Sequence, residues 1–161
     1  MNINIGAFDF DKITITGANG ESTTHDLREE LKVNDFNVVS EFLEQPSKYV
    51  YWSSILERVK MFKESAELKA ETYKASIYET SRTVLVDAGI NKPTKEQVNS
   101  VIMSDENYIK LLEDVNTYTY LVGQLTYVVK AFEQRRDMLI QYGADLRKAR
   151  EYEQRISMPN M

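Results

Sequence analysis

Two long segments of the chain carry apolar residues at alternating steps of three and four. The first, residues 47–88, contains neither proline nor glycine, and the second, residues 108–146, contains no proline. This spacing places one apolar stripe along an α-helix, and such a stripe is buried against partner helices. At about 1.5 Å per residue the first helix would be on the order of 60 Å long, longer than a compact domain is wide. The two segments therefore predict an elongated antiparallel hairpin of two coiled-coil-like helices in an all-α, oligomeric fold.

The stripes supply the candidate core. The first stripe consists of Trp52, Leu56, Val59, Lys63, Ala66, Ala70, Tyr73, Ile77, Thr80 and Val84. The second consists of Tyr108, Leu111, Val115, Tyr118, Val122, Leu125, Val129, Phe132, Arg136, Leu139, Gly143 and Leu146. The positions that we expect to form core or subunit contacts are Trp52, Leu56, Val59, Tyr73, Val122, Leu125, Val129 and Phe132.

Further apolar side chains lie off these stripes. They are Ile55, Phe62 and Leu68 on the first helix, and Leu112, Leu121, Val128 and Ile140 on the second. A single hairpin leaves such side chains without partners, so they predict a second interface, most simply with other copies of the chain. We therefore expect a homo-oligomer.

The N-terminal segment has a different pattern. Residues 1–24 alternate apolar and polar side chains with the period of a β-strand, and Gly17–Gly20 is a turn signal. Asp26–Lys32 then begins with an acidic residue suited to a helix N-terminus, so we expect a shorter helix that precedes the two long ones. We expect an N-terminal arm over residues 1–25, β-hairpin-like or mobile, a helical domain over 26–150 that oligomerises and binds DNA, and a tail over 151–161.

Helix boundaries are predicted from capping residues. Pro46 is expected to close one helical stretch and to open the next. Gly89 suits a left-handed C-cap, and Thr94 with Gln97 fits a capping box that begins a short helix. Ser104 is expected to cap the start of the last helix through its hydroxyl group.

Composition excludes several classes of chemistry. The chain has 161 residues, no cysteine and one histidine, His25, which excludes disulfides, thiolate metal sites and a multi-histidine centre. No glycine-rich phosphate loop or catalytic relay is present in the sequence, so we predict a protein that is not an enzyme and needs no cofactor or metal. No apolar run reaches the roughly 18 residues of a membrane span, and the N-terminal residues lack the pattern of a secretion signal. We expect a cytoplasmic protein without a membrane partner.

Cations and aromatic rings alternate on the first long helix. Cations neutralise phosphates and exposed rings stack on bases, a combination that suits single-stranded nucleic acid. The simpler alternative is that the lysines form the solvated face of an amphipathic helix and the rings belong to its core. The cations are Arg58, Lys60, Lys63, Lys69, Lys74 and Arg82, and the rings between them are Tyr51, Trp52, Phe62, Tyr73 and Tyr78. On the second helix, Arg136 occupies a stripe position, where it could extend to solvent, pair with an acid or line a channel.

The order of several weak motifs resembles the phage recombination mediators of the UvsY type. The resemblance covers residues 26–150: the acidic amphipathic start Asp26–Lys32, the aromatic entry Tyr49-Val-Tyr-Trp52, Lys74-Ala75 followed by Tyr78, and Met103-Ser-Asp-Glu before a final helix with basic residues. It implies ring-like homo-oligomers that bind single-stranded DNA and help a recombinase to displace single-strand-binding protein. By position, it implies DNA contacts at Lys74, then Lys69 and Arg82, with Arg58 and Lys60 in a second basic stretch.

Two other functions fit the same residues. One is a phage coiled-coil structural, assembly or adaptor protein without nucleic-acid binding. The other is an inhibitor that mimics DNA, because residues 1–46 contain nine acidic and three basic side chains.

Overall fold

The computed structural model describes residues 2–5, 11–17 and 19–157. Its elements are strands β1 Asn2–Ile5, β2 Lys12–Thr16 and β3 Ser22–Asp26, and helices α1 Leu27–Leu31, α2 Val38–Asp87, α3 Lys95–Ile102 and α4 Glu106–Ser157, with a 3-10 turn at Asp35–Asn37. The prediction of two long helices forming a hairpin, preceded by a short helix and a small β-structured arm, is confirmed.

The chain forms two compact units. Unit 1 comprises residues 1–54 and 125–161, and unit 2 comprises residues 55–124. Each unit contains one segment of α2 and one segment of α4. Within each unit these two segments run antiparallel.

A three-stranded antiparallel sheet begins unit 1. Strand β2 lies in the middle, with Ile13 opposite His25 on β3 and Ile15 opposite Thr23. Ile13 and Ile15 are buried, as the two-residue period predicts. The β2–β3 turn is closed by Gly20, whose φ of 82° is readily adopted only by glycine. The arm therefore has three strands, and its last strand ends one residue beyond the predicted boundary. Residues 6–10 of the predicted arm lie outside the described residues.

Helix α1 begins where its acidic first residue predicts. The Asp26 carboxylate accepts hydrogen bonds from the backbone N–H groups of Arg28 and Glu29, at 3.1 and 3.2 Å. These bonds satisfy two amide groups that the helix itself leaves unpaired.

Helix α2 contradicts the predicted boundary at Pro46. The helix begins at Val38 and continues through the proline to Asp87. Pro46 has no N–H, so the bond to the carbonyl of Phe42 is absent, a loss that commonly ends a helix. Here the adjacent Gln45 is buried and donates a 2.6 Å hydrogen bond to the Phe132 carbonyl on α4. Packing against α4 holds the helix across the proline.

The core of unit 1 lies between α2 and α4. Trp52 and Phe132 are both fully buried, and their rings stack with centroids 6.3 Å apart. Leu125 and Leu139 are buried on the same face of α4. Helix α4 continues to Ser157, so residues 151–157 of the segment expected as a tail are helical; residues 158–161 lie outside the described part.

The core of unit 2 joins α2, α3 and α4 through Ala70, Val98, Ile102 and Tyr108. Gly89 ends α2 with a φ of 94°, as predicted. Predicted capping of α3 is also present, because the Thr94 side chain accepts from the backbone N–H of Gln97 and the Gln97 side chain accepts from that of Thr94.

The cap of α4 differs from the prediction. Asp105 and not Ser104 caps the helix, since its carboxylate accepts from the N–H groups of Asn107 and Tyr108 at 3.0 and 2.9 Å. The Ser104 hydroxyl donates instead to the Ser100 carbonyl. Asp105 also accepts from the hydroxyl of Tyr73 at 3.1 Å, which joins the cap to α2. Its carboxylate is the stronger acceptor, so it displaces the hydroxyl as cap.

Candidate nucleic-acid interface

The five predicted DNA contacts all lie on the segment of α2 that belongs to unit 2. With about 100° per residue, Arg58 and Lys69 lie along one flank of the buried stripe, while Lys60 and Lys74 lie beyond its other flank. Arg82 follows Lys74 by eight residues, on the side of Lys60 and Lys74. The helix therefore divides the five cations between two faces.

The five cations also differ in their ion pairs. Lys60 Nζ lies 2.7 Å from Glu57, and Arg82 lies 3.9 Å from Glu79. Among the residues that the structure describes, no carboxylate lies within ion-pair distance of the ammonium groups of Lys69 and Lys74. A carboxylate partner reduces the attraction of an exposed cation for phosphate, so Lys69 and Lys74 are better able to bind an anion than Lys60 and Arg82.

Lys74 lines a groove between α2 and α3. The groove has a volume of about 480 Å³ and is lined by Glu71, Lys74, Ala75, Tyr78 and Glu79 on α2 and by Lys95 and Asn99 on α3. A second ammonium group and an aromatic ring thus lie beside Lys74. The buried Oδ1 atom of Asn99 has no hydrogen-bond partner among the described residues.

Neither Lys95 nor Asn99 was predicted from the sequence. Lys95 is the first residue of α3 and directly follows the capping Thr94. In the sequence it therefore reads as part of a helix start and gives no sign of a binding site. Only the packing of α3 on α2 brings it beside Lys74. The groove can contact a phosphate through two lysines and a base through one ring, while its two glutamates reduce the local positive potential.

The predicted core positions are divided between buried and half-buried sites. Trp52, Leu56, Val59, Leu125 and Phe132 are buried, whereas Tyr73, Val122 and Val129 are half-buried. The Trp52 ring lies within the chain and has no exposed face for a base. Packing within the chain also buries Ile55, Leu121 and Val128, whereas Leu68 and Ile140 remain exposed.

One arginine is buried although the sequence did not predict it. Arg136, on the heptad stripe, is exposed and bonds to Asp137 at 2.9 and 3.0 Å. Its neighbour Arg135 is 3% exposed and donates to the side chains of Gln45 and Glu41. Arg135 also donates to the carbonyls of residues 31 and 32, at 3.1 and 3.2 Å.

The pKa of Glu41 reflects this network. Partial burial raises the pKa of the carboxyl group, but a hydrogen bond from the Asn34 backbone N–H and the Arg135 guanidinium outweigh burial and hold it below 4.5. Glu41 is therefore ionised at neutral pH, and the buried guanidinium has a charged partner.

The single histidine belongs to a second polar cluster in unit 1. His25 Nδ1 lies 2.5 Å from Glu30, and its Nε2 lies 2.9 Å from the Tyr51 hydroxyl. A carboxylate only accepts, so Nδ1 carries the proton, and in the neutral ring Nε2 accepts from Tyr51. Burial, together with the nearby Glu30, raises the pKa of Tyr51, so the phenol is not an activated nucleophile.

Neither a metal site nor a membrane span is found in the described ranges. No group of three histidine, aspartate or glutamate side chains is arranged to hold a metal ion within residues 11–17 and 19–156. The helices of the described chain are not long and apolar enough to cross a bilayer.

Comparison with known proteins identifies no relative of the chain. No protein family, curated protein or solved structure matches the chain significantly.

Proposed function

We propose that this protein is a recombination mediator, which binds single-stranded DNA as a ring-like homo-oligomer and promotes recombinase loading in place of single-strand-binding protein. The groove beside Lys74 carries the proposal. It combines two lysines and the ring of Tyr78 on one surface of unit 2. The resemblance of residues 26–150 to UvsY-type mediators supplies the recombinase and the single-strand-binding protein as partners.

Repetition of the groove in an oligomer compensates for its modest charge. One groove offers two cations against two glutamates, so one copy binds a strand weakly. Several copies that contact the same strand gain avidity, because each later contact forms within the complex. Binding through phosphates and stacking reads no sequence, as a mediator that acts along any strand requires.

Fluorescence anisotropy of a labelled single-stranded oligonucleotide at two salt concentrations tests the proposal. We expect binding that weakens steeply with salt and exceeds duplex binding. Replacing Lys69, Lys74 and Arg82 together with alanine should weaken it without changing the oligomer mass. The pair K74A/K95A should weaken it as well and lower the salt slope by about 0.7 for each phosphate that is no longer neutralised.

A matched control removes the same charge elsewhere. K110A/K130A deletes two exposed lysines of α4 that do not line the groove. If K74A/K95A binds no more weakly than this control, the groove is not the DNA site. If the wild-type protein does not bind at low salt, the mediator function itself is wrong.

A second candidate function has its own observation. Unit 1 exposes an apolar row at the start of α2, in which Val39, Leu43 and Val50 are 62–77% exposed. Such a row suits a structural, assembly or adaptor protein that binds other proteins. An oligomer that binds no DNA at low salt would favour this function.

A further inference from the structure

Phe36 is the most exposed large apolar side chain described in the chain. It lies in the 3-10 turn Asp35–Asn37 before α2 and is 96% exposed. Burial of a phenyl ring is favourable, so a phenylalanine that its own chain leaves fully exposed can gain apolar contact from another molecule.

The turn that carries Phe36 is held in place. Asn34 Oδ1 accepts from the Phe36 backbone N–H at 3.0 Å, and the Asn34 N–H donates to Glu41 at 3.1 Å. Glu41 in turn pairs with the buried Arg135. The ring is thus presented on a fixed turn, which reduces the entropic cost of its binding.

A groove of matching size lies in the same unit. It has a volume of about 280 Å³, and its walls are mainly apolar. A cavity of about 150 Å³ is enough to hold benzene, so this groove admits a phenyl ring. Its apolar lining consists of Phe42, Pro46 and Tyr49 on α2 and Phe132, Leu139 and Ile140 on α4. Phe36 does not line this groove, so the chain's own ring does not fill it.

An acidic group beside the ring is matched by a basic group at the groove. Asp35 directly precedes Phe36. Arg136 and Glu133 both line the groove, and the Glu133 carboxylate accepts a 3.2 Å hydrogen bond from the Tyr49 hydroxyl, so the Arg136 guanidinium is the group there with which a carboxylate can pair. The Arg136 side chain is 59% exposed and bonds only to the adjacent Asp137 among the described residues, so it can also face an incoming carboxylate.

We infer that Phe36 of one copy inserts into the Phe42–Ile140 groove of the next copy, with Asp35 facing Arg136. The ring and the groove consist of different residues of unit 1, so the contact can either be exchanged by two copies about a two-fold axis or be repeated head-to-tail by every copy. We take the head-to-tail arrangement, which the crosslinking below distinguishes from the closed dimer. Head-to-tail contacts close into rings when the rotation permits. The inference rests on the homo-oligomer of the proposed function and does not depend on DNA binding.

The first test measures assembly. In native mass spectrometry the F36A variant should require at least about tenfold more protein than the wild type to assemble, as expected when a central aromatic anchor is removed. Y127A is the control, because Tyr127 is 68% exposed and lies on a different face of α4 from the residues that line the groove. Circular dichroism checks that both variants fold. Equal assembly of F36A and wild type would overturn the inference.

Crosslinking locates the contact, since the chain has no cysteine of its own. Val39, one turn from Phe36, and Ile140, at the groove, are both exposed. A V39C variant mixed with I140C should crosslink through a short bis-maleimide, whereas V39C mixed with Y127C should not. The double variant V39C/I140C should give species larger than dimers. No V39C–I140C product, or double-variant products that stop at dimers, would overturn the head-to-tail contact.

Oligonucleotide anisotropy on the same samples separates this inference from the DNA proposal. A wild-type protein that remains monomeric overturns the copy-to-copy contact, whether or not it binds DNA. If the F36A variant assembles poorly but its monomer still binds the oligonucleotide, the copy-to-copy contact is supported. DNA then binds at a surface other than this contact.

Discussion

The indole N–H of Trp52 donates a 2.9 Å hydrogen bond to Glu30, and the other oxygen of that carboxylate bonds to His25. Glu30 therefore joins the core helix α2 to both α1 and the sheet. Trp52 is fully buried, so its N–H depends on this acceptor.

Replacing Glu30 with alanine should destabilise unit 1. The buried indole N–H and His25 would both lose their partner, at a cost of roughly 1–3 kcal/mol. Urea unfolding followed by the fluorescence of Trp52, the only tryptophan, measures the change. E29A is the control because Glu29 is exposed and pairs only with Lys32 among described residues at 3.5 Å; equal effects of the two substitutions would contradict the role of Glu30.

Two adjacent arginines should respond differently to substitution. R135A removes a buried guanidinium, so that Gln45 and one oxygen of the Glu41 carboxylate lose the donor that Arg135 provides, and we expect a decrease of about 3–5 kcal/mol in the free energy of unfolding. R136A removes an exposed group and should cost less than about 1 kcal/mol. Chemical unfolding of the two variants tests this difference, and a larger effect at Arg136 would show that the heptad stripe and not the observed network sets the packing.

Acid should weaken the network at Glu41. The pKa of Glu41 is lower in the folded protein than its ordinary value of 4.5, so the folded state binds this proton less readily than the unfolded chain. The resulting stabilisation is complete above the unfolded-state pKa and disappears as the pH falls through the lower, folded-state pKa. Unfolding free energies measured between neutral pH and pH 3 should fall less steeply for E41Q than for the wild type. An equally steep fall for E41Q and the wild type would contradict this role of Glu41.

Two glycines in the interior of α4 should give opposite results when replaced with alanine. At Gly123 no atom lies within 4 Å of the new Cβ, so G123A should stabilise the protein by about 0.5–1 kcal/mol through helix propensity. At Gly143 the new Cβ would lie 3.0 and 3.1 Å from the Phe42 ring. G143A should therefore gain less or destabilise the protein, as thermal unfolding would show. A larger gain at Gly143 would contradict the close contact with Phe42.

Much of the fold could be predicted because its signals are local. The steps of three and four identified the two long helices, and Asp26, Gly89 and Thr94 marked boundaries that the structure confirms. The predicted helix boundary at Pro46 was wrong because the sequence shows only the local cost of the proline. The hydrogen bond from Gln45 to Phe132 that accompanies the continuous helix joins residues 87 positions apart.

The candidate site was only partly predictable. Lys74 is one of several cations beside aromatic rings, and the resemblance to UvsY-type mediators singles it out. The sequence contains no signal for the groove that Lys95 completes, since Lys95 belongs to a separate helix. The sequence also could not separate Lys69 and Lys74 from Lys60, because a free and a paired ammonium differ in side-chain placement and not in residue type.

The sequence by itself determined the helical hairpin, the strand period of the arm and the absence of cysteine chemistry. These properties depend on periodicity, capping and residue type, which act over a few positions. Only the tertiary structure decided that Arg135 and not Arg136 is buried, that Phe36 is exposed and that an open apolar groove remains in the same unit. Such distinctions depend on which side chains meet across helices, and one residue along a helix turns a side chain by about 100°, from the core to solvent.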